Sequence, residues 1–284
     1  MPSLRKKSKD RQRCVTGLKD KICLVTGAAG LLGHEFSDVL LQAGGKVYLL
    51  DINEVALREK VGFFERKYKG RCFSIQVDIT HEESLRAACK KILQRFARID
   101  ILINNAANNP KVEKSLKKNF SRFEDFPLEQ WEKDFAVGLR GVFLCCKVFG
   151  TEMAKRKEGV IVNIASDLSV IAPDQRIYRK PRLAHNMQPV KPVTYSVIKT
   201  GLLGLTRYLA TYWADRNIRV NALSPGGVYT GQPEEFVKRL TNLIPMGRMA
   251  DIHEYREAVI FLCSGASRYM TGQNLIIDGG RSVW

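Results

Sequence analysis

The chain has 284 residues, of which 45% are apolar and 26% charged, the balance of an ordinary globular protein. No segment approaches the roughly 18 apolar residues of a membrane-spanning helix, and no apolar run of signal-peptide type follows the basic N-terminus. The seven cysteines include no Cys-x-x-Cys pair and the four histidines have no ligand spacing, so neither a disulfide framework nor a metal site is expected. These features predict a reduced, cytoplasmic protein.

The net charge of +17 comes from 46 basic against 29 acidic residues. The excess is concentrated in a tail at 1–17, in a weaker cluster at 108–125, and in a cluster at 174–193. These basic residues can be read in two ways: as solvent-exposed loops that keep the protein soluble, or as a positively charged rim around a site for an anionic ligand. Nucleic acid is a minor hypothesis, because no aromatic-interleaved motif or recognition helix accompanies the charge.

From residue 21 onward, short β-branched runs alternate with longer amphipathic stretches. Strands are predicted at 22–26, 46–50, 72–77, 101–104, 160–164, 219–223 and 274–277. Helices are predicted at about 32–43, 53–68, 82–97, 128–156, 194–215 and 252–263. This alternation predicts one doubly wound α/β domain over 18–284, with a parallel sheet covered on both faces.

A glycine-rich turn follows the first predicted strand, in the run Thr-Gly-Ala-Ala-Gly-Leu-Leu-Gly that ends at Gly33. Glycines at such a turn let the backbone approach a pyrophosphate, and the following helix offers its N-terminal N–H groups. Asp51 closes the next predicted strand 18 residues beyond Gly33. A carboxylate there would bind both ribose hydroxyls and repel a 2′-phosphate, which favours NAD over NADP. The alternative is that the glycines only permit tight packing.

A second group of residues suits proton transfer. Tyr195 and Lys199 are four residues apart, which places them on one face of a predicted helix. A cation beside the phenol is expected to lower its pKa from the ordinary value near 10. Ser166, directly after a predicted strand, would orient a substrate oxygen.

Further segments match a known pattern in the same chain order: the Val-Asp-Ile-Thr run with Asp78, Asn104-Asn105-Ala106-Ala107, and the Asn-Ala-Leu-Ser-Pro-Gly run that ends at Gly226. Together these motifs resemble the short-chain dehydrogenase/reductase family over about residues 18–284. The resemblance implies a Rossmann-type sheet of about seven strands, and a homodimer or homotetramer built on the helices near 128–156 and 194–215. It implies Ser166, Tyr195 and Lys199 as catalytic residues. It implies as cofactor-binding residues Gly27, Gly30, Leu31, Leu32, Gly33, Asp51, Ile52, Asp78, Ile79, Asn105, Ala106, Ala107, Tyr195, Lys199, Pro225, Gly226, Val228 and Thr230.

The chain departs from the family pattern at four places. Leu31 stands where the family has its middle glycine, and Ala107 replaces the last residue of Asn-Asn-Ala-Gly. Gly138 stands where the family has a catalytic asparagine, which predicts a triad and another proton route. Finally, 28 residues separate Ser166 from Tyr195, where the family has about a dozen.

The long segment between Ser166 and Tyr195 contains the basic cluster at 174–193, and it would border the substrate pocket. With the lysines of the loop after residue 105, it predicts a positive rim for a phosphorylated sugar or a sugar nucleotide. The substrate residues predicted on this basis are Asp167, Asn109, Arg179, Arg182 and Gly227. A looser resemblance over 225–232, 244–249 and 281–284, to oxidoreductases of flagellin-modification and sialic-acid-like sugar pathways, points the same way.

The sequence thus predicts hydride transfer between NAD and a carbonyl/alcohol pair on an anionic carbohydrate, with Tyr195 as general acid in reduction and base in oxidation. A 3-oxoacyl thioester reductase is the alternative within the same class. A cofactor-binding sensor or scaffold without turnover is the alternative outside it, and Gly138 and Leu31 are the features that favour it.

Overall fold

A computed structural model describes residues 17–108 and 121–284 of the chain. The basic tail up to residue 16 lies outside the described residues, as do Asn109 and the four lysines predicted at the pocket rim. Those lysines are Lys111, Lys114, Lys117 and Lys118. Within the described ranges, no helix is long and apolar enough to cross a membrane, and no cluster of acidic, histidine or cysteine side chains is arranged to hold a metal ion.

Seven parallel strands form one sheet, which confirms the predicted doubly wound α/β architecture. The strands are β1 (Ile22–Thr26), β2 (Lys46–Asp51), β3 (Cys72–Gln76), β4 (Ile101–Asn104), β5 (Gly159–Ile164), β6 (Ile218–Pro225) and β7 (Asn274–Ile277). Their spatial order is β3-β2-β1-β4-β5-β6-β7. The order reverses between β1 and β4, and in such sheets ligands bind in the crevice outside the carboxyl ends at that point.

Helices cover both faces of the sheet. They are α1 (Leu31–Gln42), α2 (Glu54–Lys67), α3 (Glu82–Phe96), α4 (Leu128–Phe135), α5 (Gly141–Cys145), α6 (Thr151–Arg156), α7 (Val193–Tyr212), α8 (Glu234–Thr241) and α9 (Arg256–Cys263). Two large apolar clusters lie on opposite faces, one beneath α3, α5, α6 and α7 and the other beneath α1, α2 and α9. β1 is buried at every position, because a central parallel strand is covered on both sides.

The prediction of one continuous helix over 128–156 is wrong, because the helical stretch is interrupted. Two π-helical turns, Ala136–Arg140 and Cys146–Gly150, divide it into α4, α5 and α6. Each π turn contains a glycine against which a side chain from the α7 region packs. A Cβ on Gly138 would lie 2.7 Å from Ile198 Cγ2, and a Cβ on Gly150 would lie 2.5 Å from a ring carbon of Trp213. Apolar periodicity reports which face is buried, but it does not report these local contacts.

Helix α8 was not predicted from the sequence. It is short and acidic at its start, and Leu240 is its one buried residue. Leu240 joins Ile177, Ile244 and Met249 in a small separate core. Ile177 comes from the long segment between Ser166 and Tyr195, so this segment is packed against α8.

The contact at Gly138 has a measurable consequence. Gly138→Ala is expected to lower the melting temperature by several degrees, because overpacking a core costs about 1–3 kcal/mol and the β-branched Ile198 is stiff. Gly204→Ala is the matched control, since a Cβ on this helical glycine of α7 meets nothing within 4 Å. That control is expected to be neutral or stabilising by up to about 1 kcal/mol. Equal melting temperatures for the two variants, by calorimetry, would contradict the packing argument.

Candidate active site

The glycine-rich turn between β1 and α1 forms a cradle of backbone groups. Gly27 has a φ of +62°, and a Cβ there would lie 2.7 Å from Ala106 Cα. A Cβ on Gly33 would lie 2.2 Å from the carbonyl oxygen of Gly27. Gly30 is the N-cap of α1 and has no side chain to cap it, so N–H groups of the first turn, from Leu31 and Leu32 onward, are open to a ligand. The cradle fits a pyrophosphate even though the middle glycine is displaced to position 30.

Asp51 is fixed beside this turn, as the nucleotide-binding prediction requires. Its Oδ2 accepts a hydrogen bond from Ala29 N at 3.1 Å, and its Oδ1 accepts one from Asn53 N at 3.0 Å. Leu31 and Ile52, on either side of the crevice, are 51% and 63% exposed. These open apolar side chains and the oriented carboxylate fit the adenosine half of a dinucleotide.

Asp78 and Ile79 follow β3 at the same edge of the sheet. Asp78 Oδ1 accepts hydrogen bonds from the backbone N and the hydroxyl of Thr80, at 2.9 and 2.7 Å. Ile79 is buried, and its Cδ1 would lie 2.6 Å from a Cβ on Gly141. The Ile79 side chain therefore belongs to the core, and only its backbone can contribute to the predicted cofactor site.

The loop after β4 is bound tightly to the glycine turn. Asn105 Nδ2 donates to the carbonyl oxygens of Thr26 and Gly27, both at 3.1 Å. Thr26 Oγ1 accepts from the backbone N–H groups of Asn105 and Ala106, at 3.0 and 3.1 Å. Ala107 then lines the cavity that holds Tyr195. The predicted residues of this loop are thus brought to one side of the crevice.

The segment after β6 lies at the other end of the crevice. Gly226 N donates to Ile277 O at 2.8 Å, and a Cβ on Gly226 would lie 2.8 Å from Asp278 Cα. Pro225, the last residue of β6, is buried. Val228 forms an isolated bridge with Ala250, and Thr230, two residues later, is exposed.

The structure brings Ser166, Tyr195 and Lys199 together at the carboxyl end of β5. Ser166 is buried directly after that strand, and the other two residues lie on the first turns of α7. Ser166 lies close enough to Tyr195 for its hydroxyl to act on the pKa of the phenol. Lys199 Nζ donates to the carbonyl oxygen of Ile164 at 2.7 Å. The three side chains form a compact group that can hold a carbonyl oxygen and protonate it.

The expected effect of Lys199 on Tyr195 is wrong. Burial raises the pKa of Tyr195, the nearby hydroxyl of Ser166 lowers it, and the charge of Asp167 raises it again, with a net increase. Lys199 lies 5.9 Å from the ring centroid of Tyr195 and is turned towards Ile164 O. Burial and the neighbouring charge of Lys191 lower the pKa of Lys199 to about 8. Tyr195 therefore holds its proton at neutral pH, as a general acid must.

Asp167, predicted to bind substrate, is engaged within the protein. Its Oδ1 accepts from Ser166 Oγ and Leu168 N, both at 2.8 Å, and its Oδ2 forms a 2.7 Å ion pair with Arg281. The Asp167 and Arg281 side chains are only 5% and 8% exposed. Asp167 therefore acts as a positioning residue for Ser166.

The long segment after Ser166 does not place its arginines in the cavity beside Tyr195. Arg179 and Arg182 are exposed, and Arg176 pairs with Asp174 at 2.7 Å. Tyr178 packs against Phe236 of α8, with ring centroids 5.7 Å apart. Burial raises the pKa of Tyr178 to about 12, and the charges of Arg281 and Asp167 also act on it, so Tyr178 lies near the catalytic group.

Gly227, the remaining described residue predicted to bind substrate, faces the same small core. A Cβ there would lie 3.2 Å from Leu240 Cδ2 and 3.3 Å from Met249 Cε. It supports the packing of α8 and offers no side chain to a substrate.

Sequence reasoning missed Lys191 as a site residue. Its Nζ lies 3.7 Å from the ring centroid of Tyr195, and burial lowers its pKa to about 8. The cavity that it lines also includes Asn108, Asp134, Gly138, Tyr195 and Lys199. The signal was present in the spacing, because Lys191 and Lys199 lie four residues on either side of Tyr195.

The lowered pKa of Lys191 predicts a dependence of stability on pH. A lysine whose folded pKa is near 8, below its unfolded value near 10.5, destabilises the fold while it is charged in both states. The free energy of unfolding therefore increases as the pH rises from about 8 to about 10.5, because the folded protein loses this proton before the unfolded chain does. Lys191→Met is therefore expected to raise the melting temperature at pH 7 by at least about 2 °C, equivalent to about 1 kcal/mol. The gain should shrink at pH 10, and the exposed Lys180→Met control should show no such trend in calorimetry.

Comparisons with known proteins agree with this geometry. The sequence profile described as enoyl-(acyl carrier protein) reductase matches residues 27–282. The NAD-dependent glycerol dehydrogenase of Listeria innocua is 35% identical over 274 residues, which cover 94% of this chain and 95% of that protein. The D-threitol dehydrogenase of Mycolicibacterium smegmatis is 30% identical over 277 residues, 94% of each chain. A crystal structure of a gluconate 5-dehydrogenase from Burkholderia cenocepacia, in complex with NADP and tartrate, superposes with a TM-score of 0.79 at 26% identity, over 95% of this chain and 98% of that one.

The looser resemblance is also confirmed. The post-translational flagellin modification protein A of Campylobacter coli is 30% identical over 265 residues, covering 93% of this chain and 98% of that protein. The profile match and the relatives each extend over nearly the whole chain. The chain belongs to the short-chain dehydrogenase/reductase family of oxidoreductases.

Proposed function

We propose that this protein interconverts a secondary alcohol and a ketone on a small, polyhydroxylated substrate that carries an anionic group, with NAD as the preferred cofactor. The proposal is carried by one observation. Ser166, Tyr195 and Lys199 meet at the carboxyl edge of the same sheet whose β1–α1 turn and Asp51 fit a dinucleotide.

The residues divide the chemistry among them. When bound, NAD(H) supplies or accepts the hydride at the substrate carbon. Ser166 donates its hydroxyl to Asp167 in this structure and would turn that hydroxyl to the reacting oxygen when a carbonyl substrate binds. In reduction, Tyr195 gives its proton to that oxygen as the carbon receives the hydride. In oxidation, Tyr195 must first lose its proton before it can take one from the substrate hydroxyl as a general base.

The relatives and the charge distribution support the substrate class. Glycerol, threitol and gluconate, named for three similar proteins, are polyhydroxylated, and gluconate carries a carboxylate. A phosphorylated sugar or a sugar nucleotide is the form predicted from the basic loops. The first assay is turnover with NAD and NADH on matched neutral and anionic polyols and sugars, with a 3-oxoacyl thioester as a separate arm. NADH binding without turnover on any arm would favour a sensor or scaffold.

Homo-oligomerisation is part of the same proposal. Val197, Tyr208 and Tyr212 of α7 and Phe143 of α5 are exposed apolar or aromatic side chains. Exposed surface of this kind fits a subunit contact. A homodimer or homotetramer through these helices would bury it.

The role of Tyr195 is tested by removing only its hydroxyl. Tyr195→Phe is expected to reduce turnover at least about 10²-fold, since it removes the proton donor, while NADH binding is retained. Tyr269→Phe, which removes the hydroxyl of a fully exposed tyrosine, is the control and should behave like the unchanged protein. Near-normal turnover by Tyr195→Phe, in a stopped or continuous assay at 340 nm, would refute the mechanism.

Cofactor preference is tested at Asp51. Asp51→Ala is expected to reduce the ratio of kcat/KM for NAD to that for NADP at least about 10-fold, because the carboxylate no longer repels a 2′-phosphate. Glu54→Ala, an exposed acid at the start of α2, is the matched control and should leave the ratio unchanged. A preference of the unchanged protein for NADP would show that the argument from Asp51 is wrong.

A further inference from the structure

Lys191 is held in place beside the catalytic tyrosine. Its backbone N–H donates to Gln175 Oε1 at 2.8 Å, and Pro192 after it is the N-cap of α7. Its ammonium lies over the Tyr195 ring at 3.7 Å from the centroid. In residues 17–108 and 121–284, no carboxylate oxygen forms a salt bridge with this ammonium.

The acidic groups nearby are already committed to other partners. Asp134 accepts hydrogen bonds from Asn108 and Gln130, at 2.8 and 2.7 Å, and from Thr194 at 2.6 Å. Asp167 is shared between Ser166 and Arg281. The cavity that holds Tyr195 therefore contains two ammonium groups, those of Lys191 and Lys199, with no carboxylate of the described residues paired to either.

Lys191 is partly buried, and the charge of Asp167 acts on it without a direct ion pair, so an anionic ligand that contacts the ammonium gains a charge-assisted hydrogen bond. The cofactor's pyrophosphate would lie at the other side of the crevice, at the N-terminus of α1. Among the groups of residues 17–108 and 121–284 and of the cofactor, none supplies an anion to Lys191, which leaves the molecule that reacts at Tyr195 as its source.

We infer that Lys191 is a specificity-determining residue that binds a compact anionic group, a carboxylate or a phosphate, attached close to the reacting carbon of the substrate. This inference rests on the proposed function and narrows it. It moves anion recognition from Arg179 and Arg182, which are exposed, to the interior beside Tyr195. It favours hydroxy acids and short sugar acids or phosphates over sugar nucleotides, whose phosphates are followed by a bulky nucleoside.

The first test compares matched substrates in the NAD-linked assay: glycerol, glycerate and glycerol 3-phosphate, then glucitol and gluconate. The unchanged protein is expected to use at least one anionic member with a kcat/KM at least about 10-fold above its neutral counterpart. Lys191→Gln should abolish that preference chiefly through KM, and Lys191→Arg should restore part of it. Comparing glycerate with glycerol 3-phosphate shows whether Lys191 prefers a carboxylate or a phosphate.

Arg179→Gln and Lys180→Gln are the controls, because both remove an exposed positive charge from the same segment. Each is expected to leave the anionic preference intact. The inference is overturned if the unchanged protein prefers the neutral members, or if Lys191→Gln keeps the preference.

A binding measurement tests anion recognition by Lys191 independently of turnover. Tartrate and inorganic phosphate are titrated by calorimetry into the NADH-bound protein, and at least one is expected to bind at least about 10-fold more weakly to Lys191→Gln than to Lys191→Arg. Equal affinities, or no binding to the unchanged protein, would overturn the inference. Turnover restricted to acyl thioesters, or absent throughout, would instead refute the proposed function, whatever the anion titration gives.

Discussion

The geometry of the candidate active site depends on where helix α7 begins and how it is anchored. Thr194, the residue before Tyr195, donates its hydroxyl to the buried carboxylate of Asp134 at 2.6 Å. One turn later, Lys199 reaches back to the carbonyl oxygen of Ile164 at the end of β5. These two bonds tie the first turns of α7 to α4 on one side and to the sheet on the other. Residues on a helix move as a unit, so the phenol and the ammonium are fixed together.

A second chain of contacts fixes the oxygen-binding side of the site. Ser166 is held by Asp167, and Asp167 is held by Arg281 from beyond β7. The Asp167–Arg281 pair is almost fully buried. Removing either partner would therefore leave an uncompensated buried charge. Ser166 therefore depends on a segment more than a hundred residues further along the chain. The Asp167–Arg281 ion pair and the anchored helix α7 together fix the positions of the Ser166 and Tyr195 hydroxyl groups.

The sheet, and the position of Ser166, Tyr195 and Lys199 at its carboxyl edge, could be predicted because they follow rules that act over a few residues. Buried parallel strands read as continuous apolar runs, and the glycine at position 27 is required by its positive φ. The π turns were not predictable, since they depend on how Ile198 and Trp213 pack against glycines distant in sequence. Asp167 and Lys191 were misjudged for the same reason. The composition counts their charges only. The folded chain shows that Asp167 is bonded to Ser166 and Arg281, and that the Lys191 ammonium lies over the ring of Tyr195.

The two π turns also bear on how this helix accepts changes of chain length. A π turn accommodates one residue more than an α-helical turn, so each of the two segments holds a locally absorbed insertion. Deleting a residue elsewhere in the helix would rotate all later side chains by about 100° and turn the apolar face away from the sheet. A deletion inside either π turn would instead leave a regular helix with its flanking faces in phase. A single-residue deletion at Cys146–Gly150 is therefore absorbed away from Tyr195, whereas one at Ala136–Arg140 also alters the wall of the Tyr195 cavity, which Gly138 lines.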